Sequence, residues 1–431
     1  MPTAGKTNDT SASTAAPVRR RQVLGGMAGG LVASALPQLQ GAAAASPERY
    51  TMTPDPQDFI VVGGGVFGMW TAWTLQVSGH SVTLIDQWGV GNNLSSSGGE
   101  TRLIRTEYLG NRLYTSLAWE SLAKWKALSD RSSLPVFHEA GALYLYRHDA
   151  ENISESLQLQ AQMGIPTERI ELNDLVEEFP QFGYDDIQFG IYQPTMGALM
   201  ARRSLHLLEK EFLAAGGKVI QAKVQAPTSG ARLDAVRTSD GESYSAGSYI
   251  FACGPWLPKV FPDVVGGRIK ATRQEVFFFQ PEPGEDMFDV SRMPAWVDAH
   301  EEDLHYGFPS IEGRGFKIAL DKHGGPTDPD TMYRQVSRSG EDAVRAYMRT
   351  RFPTLADRPL SETRVCQYEN SSTGNFLIDF HPEMKNVILV GGGTGHGFKH
   401  GPAVGRYVSE LALSTLEAPE PVFGYEQHAV Y

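Results

Sequence analysis

Cysteine is scarce in this chain, as are long apolar runs and excess positive charge. Only Cys253 and Cys366 occur among 431 residues, which excludes a secreted protein held together by several disulfide bonds. The formal net charge of −12 argues against nucleic acid or an anionic membrane as the main partner, because both require a basic surface. After the first 45 positions, no apolar run is long enough to span a bilayer.

Motifs for metal binding and for serine hydrolysis are also missing. The eleven histidines form no HExxH pattern, and no G-x-S-x-G pattern occurs, so neither a metal site nor a serine hydrolase is predicted. With 41% hydrophobic and 20% charged residues, the composition is that of a soluble globular protein that can form two or more lobes. The expected partner is a small molecule. A monomer is favoured, although the sequence leaves the oligomeric state open.

Residues 1–45 differ from the rest in composition. A basic segment starts at Arg19, a short Gly- and Ala-rich apolar segment follows, and an A-x-A-like site lies at 43–45. This order is typical of a signal peptide. The arginine pair followed by Leu24 resembles the bacterial twin-arginine type, which predicts export to the periplasm or beyond without stable membrane insertion. A disordered basic tail and an uncleaved anchor are the alternatives.

The stretch "IVVGGGVFGMW" predicts a dinucleotide-binding turn between a strand and a helix. Gly63, Gly65 and Gly68 fit G-x-G-x-x-G, where the glycines permit a tight turn, approach of a pyrophosphate and close packing of helix on strand. Asp86 ends the next strand, where an acid hydrogen-bonds a ribose hydroxyl. An ordinary βα turn is the alternative. The loop alone leaves FAD and NAD open.

The order of elements predicts a discontinuous α/β nucleotide-binding domain with a second, antiparallel domain inserted into it. The nucleotide-binding pieces are 54–138, 199–272 and 365–431, and the inserted pieces are 139–198 and 273–364. A second glycine-rich stretch, "VGGGTGHGFKHG", lies in the last piece. One dinucleotide needs a single pyrophosphate site, so this stretch requires another explanation.

Several further stretches carry a resemblance to a known family. They are "NNLSSSGGETRLIRTEY", "ACGPW", "YGFPSIEGRGFK", "RVCQYENSSTGNFLIDFHP" and "GGTGHGFKHGPAVG". Together they resemble the sarcosine oxidase family of flavin-dependent amine oxidases, within the D-amino acid oxidase superfamily. The likeness is strongest to monomeric enzymes with covalent FAD, including N-methyl amino acid and pipecolate oxidases. It implies a Rossmann-like FAD-binding domain with an inserted antiparallel-sheet α+β substrate domain.

The resemblance assigns the cofactor contacts. Cys366 matches the cysteine that carries FAD through an 8α-thioether, although a buried apolar role is the commoner fate of a lone cysteine; Cys253 keeps that apolar role. The full set of matched cofactor residues is Gly63, Gly65, Val66, Phe67, Gly68, Asp86, Thr101, Arg102, Val224, Cys366, Gly395, Gly397 and Lys399.

The resemblance also assigns two arginines and two lysines. Arg102 matches a residue over the flavin face, and Arg105 with Lys399 matches the grip on a substrate carboxylate, for which a guanidinium is well suited. The alternative for the arginines is a solvated basic turn paired with nearby glutamates. Lys317 matches the cation that promotes oxygen reduction, and its alternative is an ordinary surface lysine.

Other matches form the walls of the substrate pocket. Tyr306 and Tyr368 match tyrosines that contact the substrate, Gly395 brings backbone close to the ring, and His396 supports its loop.

The chain departs from the family at several pocket positions, which makes sarcosine itself doubtful as substrate. Asp321 stands where sarcosine enzymes have a histidine, and it either holds a substrate ammonium or pairs with Lys322 or Arg314. Val297 replaces a methionine. Ser97 and Gly98 stand where the family has histidines near the first arginine.

The predicted function is an exported FAD-dependent oxidase of a secondary amine, an N-alkyl or cyclic amino acid. The resemblance implies hydride transfer to flavin N5, hydrolysis of the imine and reduction of O₂ to H₂O₂. The alternatives are an FAD-dependent amine dehydrogenase with another acceptor, an oxidase of a fructosyl amine or polyamine, and a non-catalytic binding protein on the same scaffold.

Overall fold

A computed structural model describes residues 59–228, 230–299 and 303–431. The predicted signal peptide, residues 1–45, lies outside the described residues and stays a prediction.

The described residues contain nineteen strands. They are β1 Phe59–Val62, β2 Val82–Asp86, β3 Arg102–Ile104, β4 Phe137–His138, β5 Ala142–Tyr146, β6 Glu168–Glu171, β7 Phe189–Gln193, β8 Gly197–Leu199, β9 Lys218–Gln221, β10 Val236–Arg237, β11 Ser243–Tyr244, β12 Ser248–Phe251, β13 Ile269–Phe279, β14 Ala295–Asp298, β15 His305–Phe308, β16 Phe316–Leu320, β17 Leu360–Ser371, β18 Leu377–Phe380 and β19 Val387–Gly391.

The same residues contain nine α-helices. They are α1 Val66–Val77, α2 Arg112–Asp130, α3 Glu151–Gln162, α4 Leu172–Glu178, α5 Ala201–Ala214, α6 Leu257–Val260, α7 Pro262–Val265, α8 Arg338–Arg351 and α9 Gly401–Ala412. None of these helices combines the length and the apolar content of a membrane span.

A six-stranded sheet in the order β18-β19-β12-β1-β2-β9 forms the nucleotide-binding part. Five of its strands, β19 to β9 in that order, run parallel, and β18 pairs antiparallel at one edge. All four residues of β1 are buried, as expected for a parallel strand covered on both faces. The βαβ unit β1-α1-β2 confirms the predicted Rossmann-like arrangement.

An eight-stranded sheet in the order β17-β13-β16-β15-β14-β5-β7-β6 forms the second part. Every neighbouring pair is antiparallel except β14 with β5, which confirms the predicted antiparallel α+β architecture. The predicted domain boundaries at 272/273 and 364/365 fall inside β13 and β17, which pair along their length. The division into two domains stays a prediction.

The second glycine-rich stretch is fixed by close packing of α9 on α1. A Cβ atom on Gly405 would lie 2.7 Å from the Trp70 carbonyl carbon, and one on Gly401 would lie 2.5 Å from Val66. Trp125 then donates a hydrogen bond of 2.8 Å to the Lys399 carbonyl oxygen. The glycines of α9 therefore bring this stretch against the glycine turn of β1 and α1.

Candidate active site

The glycine turn after β1 has the geometry that its sequence predicts. Gly63 has φ +110°, and a Cβ atom there would lie 2.2 Å from the Ala252 carbonyl oxygen. A Cβ on Gly68 would lie 1.9 Å from the Gly63 carbonyl oxygen. Around Gly65, by contrast, the nearest atom to such a Cβ is Ser97 Oγ at 3.6 Å. The first and third glycines are thus required by packing, and the second leaves space for a ligand.

Asp86 ends β2 at the edge of a cavity of about 120 Å³. Its carboxylate accepts hydrogen bonds from the amides of Gly64 at 2.7 Å and Trp88 at 2.8 Å. Burial raises the pKa of Asp86 although these amides oppose the shift. The predicted residues lining this first cavity are Gly63, Gly65, Val66, Phe67, Asp86 and Val224.

A second cavity of about 380 Å³ is lined by strands of the eight-stranded sheet and by the segments that begin α1 and precede α9, and it shares part of its wall with the first. The predicted site residues that line it are Val66, Phe67, Thr101, Arg102, Arg105, Val297, Tyr306, Asp321, Cys366, Tyr368, Gly395, Gly397 and Lys399. Residues from β3, β14, β15, β17 and the stretch before α9 thus meet in one place. Lys317 is not among the residues that line this cavity.

Arg102 lies beside Cys366. Its Nη2 is 3.5 Å from the Cys366 sulfur and donates to the Ser96 carbonyl at 2.8 Å, while Nη1 donates to the Thr101 carbonyl at 2.9 Å. These hydrogen bonds hold the guanidinium against β17, the strand that carries Cys366. Both cysteines are free, and burial raises the pKa of Cys253, as expected for an inert buried thiol.

Arg105 and Lys399 contact the same tyrosine in the second cavity. The Lys399 ammonium group donates to Tyr108 Oη at 2.9 Å and to the His396 carbonyl at 2.8 Å. The Arg105 guanidinium lies 4.2 Å from the centroid of the Tyr108 ring. Burial, and then the neighbouring guanidinium of Arg105, lower the pKa of Lys399 well below its usual range. Two basic side chains thus line the cavity around one tyrosine.

Lys317 is held behind Thr101 and Arg102. Its ammonium group donates to the Glu100 carbonyl at 3.0 Å, the Thr101 carbonyl at 2.9 Å and Thr101 Oγ1 at 3.0 Å. Burial, and then the charge of Arg102, lower the pKa of Lys317 well below its usual range. The side chain is 2% exposed, so the alternative of a surface lysine is wrong.

Asp321 faces the second cavity from the end of β16. Oδ1 is buried and has no hydrogen-bond partner within the part of the chain that the structure describes; His323 Nε2 lies 3.8 Å away. Arg314, an alternative partner, instead forms a hydrogen-bonded pair with Glu362 at 2.8 Å. Asp321 is therefore not paired with Arg314.

Tyr306 and Tyr368 stand next to Asp321 in the cavity wall. Burial, and then the charge of Asp321, raise the pKa of Tyr306 to about 12 and that of Tyr368 well above its usual range. Both phenols are therefore neutral around pH 7. Gly395 has φ +74°, and a Cβ atom there would lie 2.9 Å from the Tyr368 ring, which explains why glycine is needed in this loop.

Tyr108 and Glu369 are two of the cavity residues that the sequence analysis missed. Tyr108 joins Lys399 to His400, whose Nε2 lies 2.6 Å from the tyrosine hydroxyl, and to His396 Nδ1 at 3.2 Å. The role of His396 in supporting the loop agrees with this contact. Glu369 lines both cavities. Tyr108 could have been suspected from its place three residues after Arg105, whereas Glu369 gives no motif signal.

Comparison with known proteins agrees with the dinucleotide-binding geometry of the glycine turn. Residues 58–411 match the model of a family described as FAD dependent oxidoreductase. The chain belongs to this family. It is therefore an FAD-dependent oxidoreductase, and the predicted cofactor is confirmed at this level.

Individual relatives resemble most of the chain. It is 28% identical over 362 residues to a monomeric sarcosine oxidase of Bacillus sp., covering 83% of this chain and 92% of that protein. It is 26% identical over 371 residues to N-methyl-L-tryptophan oxidase of Yersinia pestis, covering 85% and 96%. The crystal structure of L-proline dehydrogenase from P. horikoshii superposes with a TM-score of 0.76 at 20% identity, covering 87% and 98%, which shows a common fold.

The residues present fit FAD. The two cavities meet at a shared wall formed by Val66, Phe67, Ser96, Ser97 and Glu369. Ser96 Oγ and Glu369 Oε2 in this wall are buried and lack hydrogen-bond partners in the described ranges. The N-cap residue of α1, Gly65, supplies no side-chain cap, and Ser97 Oγ accepts from the Val66 amide at 3.1 Å, so the helix N-terminus presents amides and a hydroxyl that suit a phosphate. Open space at the glycine turn and unpaired polar atoms at the junction suit a long dinucleotide that passes from the first cavity into the second.

Proposed function

We propose that this oxidoreductase is an oxidase of a secondary amine that also carries a carboxylate, an N-alkyl or cyclic amino acid. The observation that carries the proposal is the pair of cations, Arg105 and Lys399, at one end of a cavity whose wall also contains Asp321. The names of the sarcosine and N-methyltryptophan oxidases that the chain resembles support the same substrate class.

The two cations favour an anionic group between them. In the free protein their mutual repulsion contributes to the low pKa of Lys399, and a carboxylate between them relieves this repulsion. The guanidinium of Arg105 can bind a carboxylate through two N–H groups. A polyamine would add positive charge at this place, so the arrangement argues against polyamines and permits fructosyl amino acids.

The amine nitrogen must have a free lone pair before its neighbouring carbon is oxidised. FAD in these cavities would supply the acceptor for a hydride equivalent from that carbon and, in an oxidase, would return the electrons to O₂ as H₂O₂. Asp321 is the acidic side chain placed to attract the substrate ammonium. Tyr306 and Tyr368 are neutral around pH 7, so they orient the substrate through neutral hydrogen bonds and contacts.

Lys317 supports an oxidase rather than a dehydrogenase. A cation near the reduced cofactor stabilises the negative charge that develops on oxygen. Its ammonium group is buried beside Thr101 and Arg102, both of which line the cavity. The dehydrogenase alternative requires no such cation.

We also propose that Cys366 carries FAD through a thioether. The sulfur faces the second cavity, and the Arg102 guanidinium 3.5 Å away places a positive charge beside it. A thioether requires the sulfur to reach the cofactor, and its place in the cavity wall permits this.

The test is a screen under anaerobic conditions in which N-methyl amino acids, cyclic amino acids, fructosyl amino acids and polyamines are mixed with the holoprotein. We expect loss of the oxidised flavin absorbance with an N-alkyl or cyclic amino acid. In air, the same compound should give H₂O₂ equimolar with the substrate consumed. Bleaching without peroxide would assign a dehydrogenase, and absence of bleaching with every amine would contradict an enzymatic role on amines.

Export by a twin-arginine signal remains our proposal from residues 1–45. Expression of the full chain in bacteria followed by fractionation should place the processed protein outside the cytoplasm. Substitution of all three arginines, Arg19, Arg20 and Arg21, by lysine should retain it inside, and unchanged export of that variant would contradict this route.

A further inference from the structure

Glu369 occupies an unusual position for an acid. It lies in β17 near the junction of the two cavities and is 8% exposed. Oε2 lies 3.5 Å from where a Cβ on Gly391 would stand, and 3.8 Å from that of Gly254. Apart from its chain neighbours, Gly254 has no other described atom within 4 Å of that Cβ position, which leaves room for a ligand beside the carboxyl group. Oε2 has no hydrogen-bond partner within residues 59–228, 230–299 and 303–431.

We propose that Glu369, as a neutral carboxylic acid, hydrogen-bonds the middle of bound FAD at the junction of the two cavities. The inference rests on FAD binding and not on the amine substrate proposed above. Glu369 is a cofactor-binding residue in this proposal. Its neutral form is central, because a neutral acid has a donor as well as an acceptor, whereas a carboxylate only accepts.

The surroundings of Glu369 favour the neutral form. Burial raises the pKa of Glu369 to about 7, although the amides of Gly393 and Gly392 oppose the shift. No lysine, arginine or histidine forms an ion pair with it among the described residues. The titratable group facing it from the segment after β12 is Cys253, whose thiol stays neutral because burial raises its pKa. On the neighbouring strand β13, its register partner is Ala271.

Binding of FAD would also favour the neutral form of Glu369. FAD brings a diphosphate with negative charge into the first cavity, and a buried carboxylate nearby would be repelled by it. Binding therefore favours protonation of Glu369. Because the free protein loses this proton as the pH rises through about 7, FAD binding at higher pH must take up a proton. The affinity for FAD should consequently fall above that pH.

The experiment measures FAD affinity of the apoprotein by quenching of flavin fluorescence, in a Cys366→Ala background so that binding is reversible. In that background, the Kd of the protein that retains Glu369 should rise about tenfold between pH 6.5 and pH 8.5, since one proton is taken up per FAD over part of this range. The Glu369→Gln protein, which keeps a neutral donor and acceptor, should bind FAD as tightly at pH 6.5 and show no such rise.

A second variant and a control complete the test. Glu369→Leu should bind FAD about tenfold more weakly at pH 6.5, the effect of losing a buried hydrogen bond. Glu362→Gln, on the same strand but outside both cavities, should keep the pH dependence. Equal pH dependence in the Glu369→Gln protein and its parent would overturn the proposal, as would Glu369→Gln binding as weakly as Glu369→Leu. A melting temperature for each variant separates these effects from loss of folding.

Discussion

The guanidinium group of Arg102 lies 3.5 Å from the sulfur atom of Cys366, although 264 positions separate the two residues in the chain. β3 carries the arginine and β17 carries the cysteine, and the loop around Ser96 holds the arginine in place through its carbonyl. The contact brings a charged residue of β3, which pairs with β8 in a separate three-stranded sheet, against a long strand of the eight-stranded sheet.

Removing the sulfur tests the proposed thioether. In the Cys366→Ala protein, flavin should leave with the supernatant after acid precipitation, whereas the precipitate of the unsubstituted protein should stay yellow. Cys253→Ala is the matched control, since Cys253 lies in the first cavity and is free. If flavin is released from the unsubstituted protein by acid, the thioether proposal fails.

Binding of a carboxylate should raise the pKa of Lys399, because the low pKa in the free protein comes from burial and from Arg105. Acetate affinity should therefore be greatest at low pH and fall as the pH rises through the depressed pKa. Calorimetry in buffers with different ionisation heats should detect proton uptake on acetate binding. Acetamide, a neutral ligand of similar size, should cause none. Proton release on acetate binding would contradict the predicted rise in the pKa of Lys399.

Loss of the Lys399 charge should weaken substrate binding more than it affects the cofactor. We expect Lys399→Met to raise KM for an amino acid substrate about 10- to 100-fold, the effect of a lost charge-assisted hydrogen bond. The flavin absorption spectrum should show that FAD is still bound. Activity on an amine without a carboxylate should change much less, and an equal loss on both substrates would argue against a carboxylate contact.

Lys317 should act on the oxygen step. In Lys317→Met, the reaction of reduced enzyme with O₂, followed by rapid mixing, should slow about 100- to 1000-fold, as when a charge-stabilising group is removed. Because burial lowers the pKa of Lys317, the oxygen rate of the unsubstituted enzyme should fall as the pH rises through that pKa. The Met variant should lack this dependence. Slowing confined to flavin reduction by substrate would refute the assignment.

Asp321 should matter for the charged amine. The substitution Asp321→Asn keeps the shape but removes the charge, so we expect a KM increase of about tenfold or more for the substrate and a changed pH profile of kcat/KM. His323→Gln is the control, since its ring is 3.8 Å from Asp321 and partly exposed. If both substitutions have the same effect, the pair acts as a unit and Asp321 has no separate role.

A buried ion-pair network should stabilise the second part of the molecule. Arg351 Nη2 contacts Asp298 at 3.0 Å and Asp186 at 2.8 Å, and Arg147 also pairs with Asp298 at 2.5 Å. Arg351→Met leaves the buried acid Asp298 with fewer partners, and the free energy of unfolding should fall by about 3 to 5 kcal/mol. Arg349→Met, at an exposed position of the same helix, should change it by less than about 0.5 kcal/mol. Denaturant unfolding measures both.

Local features were predictable because their determinants are adjacent in the chain. The strand-turn-helix pattern predicts that Gly63 and Gly68 must be glycine, because the turn is tight and the helix packs closely on the strand. In the structure, a Cβ atom on either residue would clash with a backbone carbonyl oxygen. The family resemblance likewise selected Arg105 and Lys399, and the structure brings both to one cavity. Lys317 was selected too, but its place behind Thr101 could not be anticipated, because strand pairing decides which face of β16 it occupies.

The order of residues along the chain was enough to specify the glycine turn, the alternation of strands and helices, the scarcity of cysteine and the motifs shared with a family of flavoproteins. Each of these depends on residues near one another in the chain or on their succession. Three-dimensional packing was needed to establish that Tyr108 links Lys399 to His400, that Asp321 lacks Arg314 as a partner, and that Glu369 stands where two cavities meet. Such relationships arise when distant segments pack together, and burial then changes the charges that those side chains can carry.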